Sequence, residues 1–309
     1  MIGINAISIE IPTTRSETAL LASAVGVDED LLRNSMGFAR LSRKAPAQEA
    51  SDLCVAAALK LFSAEGIANS IIDCAVVVTQ NPDGYGIPHV AAIVQAKLGL
   101  SVSCATFDIG LGGSGYVYGL SVAKSFMESN GLKRGLLFTS DPYSRVVSEY
   151  DNKTALLFGD AATVTFLTDE PAWEIGRCDF GTVGTLGHAL QVRIKLGGRL
   201  HMDSNIVSEF AQERASRSLR RAIALNELTM EQIDRILVHQ GTRAEVEGIA
   251  REVGSPEKVA FYAETYGDTI SSSIPIMLSE NIAPTDKCVA LCGYGTGLSW
   301  SSTILTRVS

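Results

Sequence analysis

Two stretches decide the fold: SAEGIANSIIDCAVVVTQ at 63–80 and ALNELTMEQIDRILVHQ at 224–240. Each reads as the end of an amphipathic helix, a short polar turn, an Ile-Asp pair and then a buried apolar strand. Asp73 and Asp234 occupy equivalent places. Two such copies indicate duplicated halves packed together, because a solenoid needs three or more stacked units. The halves are taken as 1–170 and 171–309. Continuous apolar runs predict further strands over 134–140, 162–167, 288–292 and 301–307. Helical periodicity predicts helices over 49–64, 91–98, 116–129, 207–225, 243–253 and 273–281. Strands alternate with helices, so the class is α/β with mixed sheets covered by helices.

Composition narrows the function. The chain has 309 residues, 46% hydrophobic and 19% charged, with 26 basic and 34 acidic side chains for a net charge of −8. An acidic balance argues against a nucleic-acid partner. No apolar run is long enough to span a membrane, and the start, MIGINAISIEIPTTR, lacks the basic and apolar regions of a signal peptide. The expectation is a cytoplasmic protein with no membrane partner. Its six cysteines, Cys54, Cys74, Cys104, Cys178, Cys288 and Cys292, form no Cys-x-x-Cys pair. They read as buried reduced thiols, and no metal site is expected.

Four segments carry chemistry. In ATFDIGLGGSGYVYGLSVAKSFMESNG, 105–131, a short strand ends near Ile109, a glycine-rich turn follows, and an apolar helix begins. The amino end of a buried helix offers free N–H groups and a favourable dipole to a nucleophile or oxyanion. Close helix–strand packing would need the same glycines. In DRILVHQGTRAEVEGIAREVG, His239 closes a strand, a frequent place for a site residue in α/β folds; a lone histidine is more often structural. In ETYGDTISSSIP, Asp268 sits in a turn before a small-residue helix, where an N-cap role is the simpler reading. In LCGYGTGLSWSS, a glycine-rich turn joins two strands and lets the backbone come close to another segment or a ligand.

Taken in order, these segments resemble the β-ketoacyl-acyl-carrier-protein synthase III family of the thiolase superfamily, along nearly the whole chain. Phe107-Asp108 and the following turn are similar to the family's nucleophile turn. Phe158-Gly159-Asp160-Ala161-Ala162 resembles its Phe-Gly-Asp-Gly-Ala motif, and His239-Gln240 resembles its His-Gln-Ala-Asn motif. Tyr266-Gly267-Asp268-Thr269 resembles its His-Gly-Asn-Thr motif, and Gly295-Thr296-Gly297-Leu298-Ser299-Trp300 its Gly-Gly-Gly-Phe-Thr-Trp loop. The resemblance implies a five-layered α-β-α-β-α thiolase-like fold and a tight homodimer. It implies acyl thioesters of acyl carrier protein or coenzyme A as substrates and no further cofactor. In the family a cysteine on the buried helix takes the acyl group; a histidine and an asparagine then help decarboxylate a malonyl thioester, whose carbanion attacks the acyl-cysteine.

This chain departs from that pattern. The nucleophile position falls on Gly113, which has no side chain to acylate. A natural loss and a deliberate Cys→Gly change both remain open. The N–H of Gly113 still suits an oxyanion hole, with that of Thr296 as its implied partner. Ser114 is the alternative nucleophile, though its side chain is expected to point elsewhere, and Cys104 and Cys292 are weaker stand-ins. The asparagine position falls on Asp268. A carboxylate only accepts hydrogen bonds and would repel an enolate, but it would orient His239 and raise its basicity. That suits transfer to a hydroxyl or amine better than carbon–carbon bond formation.

In the region implied to hold coenzyme A, the family's tryptophan and arginine fall on Leu31 and Ser35. Arg33, Arg40, Arg43 and Lys44 keep that region basic. Arg214, Arg217 and Arg221 share one helical face that could dock an acidic carrier, or simply face solvent. Tyr85 and Ile87 are expected to shape the acyl tunnel across a dimer interface. The expected activity is therefore acyl transfer to a heteroatom acceptor, impaired in acyl-enzyme formation, with His239 as base and Asp268 as its orienter. The alternatives are a malonyl-thioester decarboxylase and a non-catalytic partner subunit of a condensing enzyme.

Overall fold

The computed structural model describes residues 1–28, 30–152, 154–193 and 197–308; the side chains of Leu31 and Arg33 also fall outside that description, and with them the expectations placed there. The strands are β1 Gly3–Glu10, β2 Arg15–Glu17, β3 Arg40–Ser42, β4 Cys74–Val78, β5 Ala105–Ile109, β6 Arg134–Ser140 and β7 Ala162–Thr168. They continue with β8 Trp173–Ile175, β9 Asp179–Thr182, β10 Leu190–Val192, β11 Leu200–Met202, β12 Arg235–Val238, β13 Cys288–Gly295 and β14 Ser299–Arg307. The α-helices are α1 Thr18–Val25, α2 Ala50–Glu65, α3 Val90–Leu98, α4 Gly115–Asn130, α5 Ser204–Leu225, α6 Arg243–Val253 and α7 Ser273–Glu280.

The strand run CAVVV of β4 is apolar throughout because both its faces are covered. Cys74, Val76 and Val78 point to one hydrophobic cluster, and Ala75 and Val77 to another. β13 repeats the pattern, with Val289 and Leu291 on the first cluster and Ala290 and Cys292 on a third. The helices sort accordingly. α2 and α3 pack outside the first half's strands, and α5 covers β13, β14 and β9 of the second. Between them lie α4, which touches β4, β6, β13 and β14, and α7, which touches β1, β7, β12 and β13. The order is helix, sheet, helix, sheet, helix. At about 1.5–3 kcal/mol for each fully buried Val or Leu, the central layer binds the two halves firmly.

The duplication is visible in the hydrogen bonds. Asp73 Oδ2 accepts from the N–H groups of Lys133 and Arg134 at 2.9 and 3.0 Å, tying the start of β4 to β6. Asp234 Oδ2 accepts from those of Lys287 and Cys288 at 2.7 and 2.8 Å, tying β12 to β13. Each aspartate also donates its own N–H across the same pair, to Arg134 O and to Cys288 O. β4–β6 and β12–β13 are both parallel.

Two features were not expected. The sheets of the halves join into one ten-stranded sheet, in the order β12-β13-β14-β8-β1-β7-β6-β4-β5 with β9 on β14. The link is the short antiparallel pairing of β8 with β1. β1 itself, absent from the periodicity reading, lies between β8 and β7. Its register shifts between Ile4 and Ala6, and such a bulge breaks the alternation by which a strand is recognised in sequence. No described helix is long and apolar enough to cross a membrane.

Candidate active site

Gly113 and Ser114 lead into α4, and the first turn of that buried helix leaves N–H groups without helical partners. Gly113 faces the end of β13. A Cβ at 113 would overlap the carbonyl oxygen of Tyr294 and lie 3.0 Å from His239 Nδ1. The backbone thus closes on this position, and any side chain there requires β13 to move. Ser114 points away: its hydroxyl is 2.8 Å from that of Ser299, fully buried and outside the cavity described below. Cys104 and Cys292 also lie outside the cavity. Burial pushes their thiols up to about 11 and about 12, respectively, so both stay protonated near neutrality.

His239 follows β12 and is held by its neighbours. Its N–H donates to Cys292 O at 2.9 Å. Gln240 acts as a clamp, its amide donating to Val238 O and Ala260 O and accepting from Tyr262 N–H. His239 is 4% exposed, and its Nε2 lies 3.3 Å from Asp268 Oδ2. Asp268 is fixed in turn. Its Oδ1 accepts from Ile270 N–H at 2.8 Å, its N–H donates to Leu157 O, and its carbonyl accepts from Gly159 N–H. Gly159 is required for that approach, since a Cβ there would overlap Tyr266 O. Asp160 of the same motif accepts from the backbone of Lys44 and Ser144 and from the Ser144 hydroxyl, locking the loops around it.

Burial alone would make the His239 ring less basic. The Asp268 carboxylate, by charge and hydrogen bond, and the nearby Glu245 outweigh it, and the net effect raises the imidazole above its ordinary value. Nδ1, on the Gly113 side, is buried and has no hydrogen-bond partner.

Gly113, His239, Asp268 and Thr296 line one cavity of about 40 Å³, together with Tyr143, Tyr294 and Glu245 and a wall of apolar side chains. A second cavity of about 210 Å³, lined by Gln80, Asn81 and Gln191, shares Tyr143, Leu190 and Thr296 with the first. Gln80 joins the two. Its side-chain oxygen accepts from Thr296 Oγ1 at 2.7 Å and Tyr143 OH at 3.0 Å, and its N–H donates to Asp141 at 2.6 Å. Asp141 is fully buried, and burial lifts its carboxyl to about 6.

Gln80 and Glu245 stand at the site without being marked out as residues of their own in any of the four chemistry-bearing segments. Gln80 had a signal, because both copies of the internal echo end in glutamine. Glu245 reads as the third helical residue of a Thr-x-x-Glu cap, and nothing in the pattern marks it as buried. The remaining expectations fall elsewhere. Tyr85 and Ile87 are 95% and 90% exposed on the loop before α3, and neither lines the His239 cavity within one chain. On α5 the arginines are engaged: Arg221 pairs with Asp179 at 3.1 Å, Arg217 with Glu213 at 2.9 Å, and Arg214 lies over the Trp300 ring. That face is less freely basic than its composition implies.

The family model of 3-oxoacyl-[acyl-carrier-protein] synthase III matches residues 107–184, and the model of its C-terminal part matches 223–307. The chain is 31% identical to the β-ketoacyl-[acyl-carrier-protein] synthase III of Streptococcus equi subsp. equi, over 82% of this chain and 84% of that one. It is 28% identical to the enzyme of the same name from Paramagnetospirillum magneticum, over 96% and 95%. A crystal structure of a 3-oxoacyl-(acyl-carrier-protein) synthase III superposes with a TM-score of 0.91 at 28% identity, covering 99% of both chains. With a thiolase-like frame of two matched halves and the family's ordered motifs meeting at one buried cavity, the chain belongs to the β-ketoacyl-acyl-carrier-protein synthase III family.

Proposed function

We propose that the chain transfers an acyl group from a thioester of acyl carrier protein or coenzyme A directly to a hydroxyl or amine, with no acyl-enzyme. The observation that carries this reading is the buried His239–Asp268 pair, whose free Nδ1 faces a glycine where the family places its nucleophile. Among the described residues, the N–H groups of Gly113 and Thr296 meet no acceptor. They suit the thioester oxygen as charge develops on it, an effect worth about 10²–10³ in rate for one well-placed donor. His239, neutral, takes the proton of the acceptor as its lone pair attacks the carbonyl carbon. The tetrahedral intermediate collapses, the C–S bond breaks, and the imidazolium returns the proton to the leaving thiolate. Asp268 holds the ring and stabilises its charged form.

The relatives' names point to carrier-protein thioesters, and the α5 arginines are part of this reading as a carrier-docking face. Exposure of Tyr85 and Ile87 supports a homodimer that covers them. The decarboxylase alternative would bring a malonyl carboxylate against Asp268.

The test offers acyl-coenzyme A and acyl-carrier thioesters with hydroxyl and amine acceptors, following thiol release and the mass of the intact protein. Acceptor-dependent release with no mass gain is expected, lost in H239A. Acceptor-independent carbon dioxide release from a malonyl thioester would replace this reading with the decarboxylase. Inactivity alone, with co-purification of a cysteine-bearing homologue, would replace it with the partner subunit.

A further inference from the structure

Glu245 places a second carboxyl in the cavity. It lies in the first turn of α6, is 5% exposed, and lines the same space as His239 and Asp268. The Tyr294 hydroxyl joins it to the site, donating to Glu245 Oε2 at 3.4 Å and to His239 O at 3.2 Å. A Cβ at Gly241 would overlap Glu245 Oε2, so the glycine after Gln240 leaves room for this carboxyl. Burial, only partly offset by His239, lifts it to about 7, so near neutrality it is divided between acid and carboxylate.

Among the described residues, the cavity lining holds two carboxyls and one imidazole, with no lysine or arginine. Once both acids ionise, its charge is negative whether His239 is neutral or protonated. Beside them is a buried ring nitrogen, His239 Nδ1, with no partner, aimed at Gly113. A malonyl carboxylate entering here meets a net like charge, whereas an ammonium is attracted to the carboxylates and has neutral His239 ready for its proton.

We infer that the acceptor is a primary amine, bound as its ammonium ion through Glu245 and acylated to an amide. This rests on the proposed heteroatom transfer and names its acceptor. The ammonium gives one proton to the Glu245 carboxylate. The freed lone pair forms the N–C bond at the thioester carbon, and the second proton passes to His239. The C–S bond breaks and the thiolate takes the proton from His239; Glu245 releases its proton to solvent. The sum is ammonium plus thioester giving amide, thiol and one proton.

The bland role of Glu245 is to cap α6, where its N–H already meets Thr242 Oγ1 at 3.2 Å. Glutamine caps equally well, so E245Q separates the two roles. The experiment compares propylamine with propanol as acceptors, using acetyl- and butyryl-coenzyme A as donors. Amide and ester are quantified by mass spectrometry after subtraction of the uncatalysed rates, with thermal melting of each protein followed alongside. The inference expects a lower KM for propylamine than for propanol in the wild type. It expects E245Q to melt within ~2 °C of wild type and to raise the amine KM about tenfold, the worth of one charged hydrogen bond, lowering the amide-to-ester ratio. Equal use of both acceptors by the wild type overturns it whether or not E245Q folds. So does an unchanged ratio in a folded E245Q. In both cases heteroatom transfer stands. Transfer to neither acceptor overturns the broader reading as well.

Discussion

Asp73 in the first half and Asp234 in the second make the same three backbone hydrogen bonds, each tying the start of one parallel strand to its neighbour. The two halves then bring opposite kinds of group to the cavity. The first half delivers the amino end of α4, bare backbone at Gly113, to the cavity. The second delivers His239, Glu245 and Asp268, all the cavity's histidine and acidic side chains among the described residues. The shared frame sets where the halves meet; the ends of the strands, where nothing in the sheet depends on the side chain, are free to differ. At that meeting place the first half adds the side chains of Tyr143, Leu157 and Phe158 but, among the described residues, no acid or histidine.

The division of labour can be broken most severely from the second half. H239A should lower acyl transfer by about 10³-fold, within the range for removal of a general base, with little change in melting temperature; retention of activity would move the base elsewhere. D268N should cost about 10²-fold by loosening the ring and removing charge that favours the imidazolium. It should also move a pH profile. Because Asp268 and Glu245 raise His239 above its ordinary value of about 6.5, the neutral base is lost as pH falls through a point above that value. Taking away the Asp268 charge lowers that point, so the acid limb of D268N should lie at lower pH than that of wild type. A limb that stays in place, or a rate that rises, would remove Asp268 from the role of orienter.

The first half should respond in stability rather than in rate constants. G113A and G113C each force Tyr294 O away, and overpacking of this kind costs about 1–3 kcal/mol. Melting temperatures should fall, and G113C should gain no rapid acyl adduct by intact mass. A fast adduct with unchanged melting would show that the turn still accommodates a cysteine. The smallest effects sharpen the symmetry itself. D73A and D234A should each lose about 1–2 kcal/mol as backbone donors lose their charged acceptor, with the greater loss at Asp73, the less exposed of the two. Urea melts that show one neutral and the other costly would deny that both aspartates fasten their halves.

Much of this was legible in the residues. The predicted helix over 243–253 matches α6, and the strand over 134–140 matches β6, because continuous apolar runs and 3.6-residue spacing report faces buried on neighbouring layers. β1 was illegible because its bulge interrupts the alternation, and β8 because three residues hold no period. His239 and Asp268 could be named because both sit in motifs. Glu245 could not, because a capping glutamate looks the same in sequence whether its carboxyl faces water or a cavity.

From its own order of residues the chain determined the repeated halves, the alternation of layers and the absence of a side chain at 113, since these follow from local pattern and covalent identity. Only tertiary structure decided that the Tyr294 carbonyl fills the space beside Gly113 and that Gln80 grips Thr296. It alone turned a cap residue into a buried acid. Those facts depend on segments far apart in the chain coming within ångströms of each other, and no local period encodes such a distance.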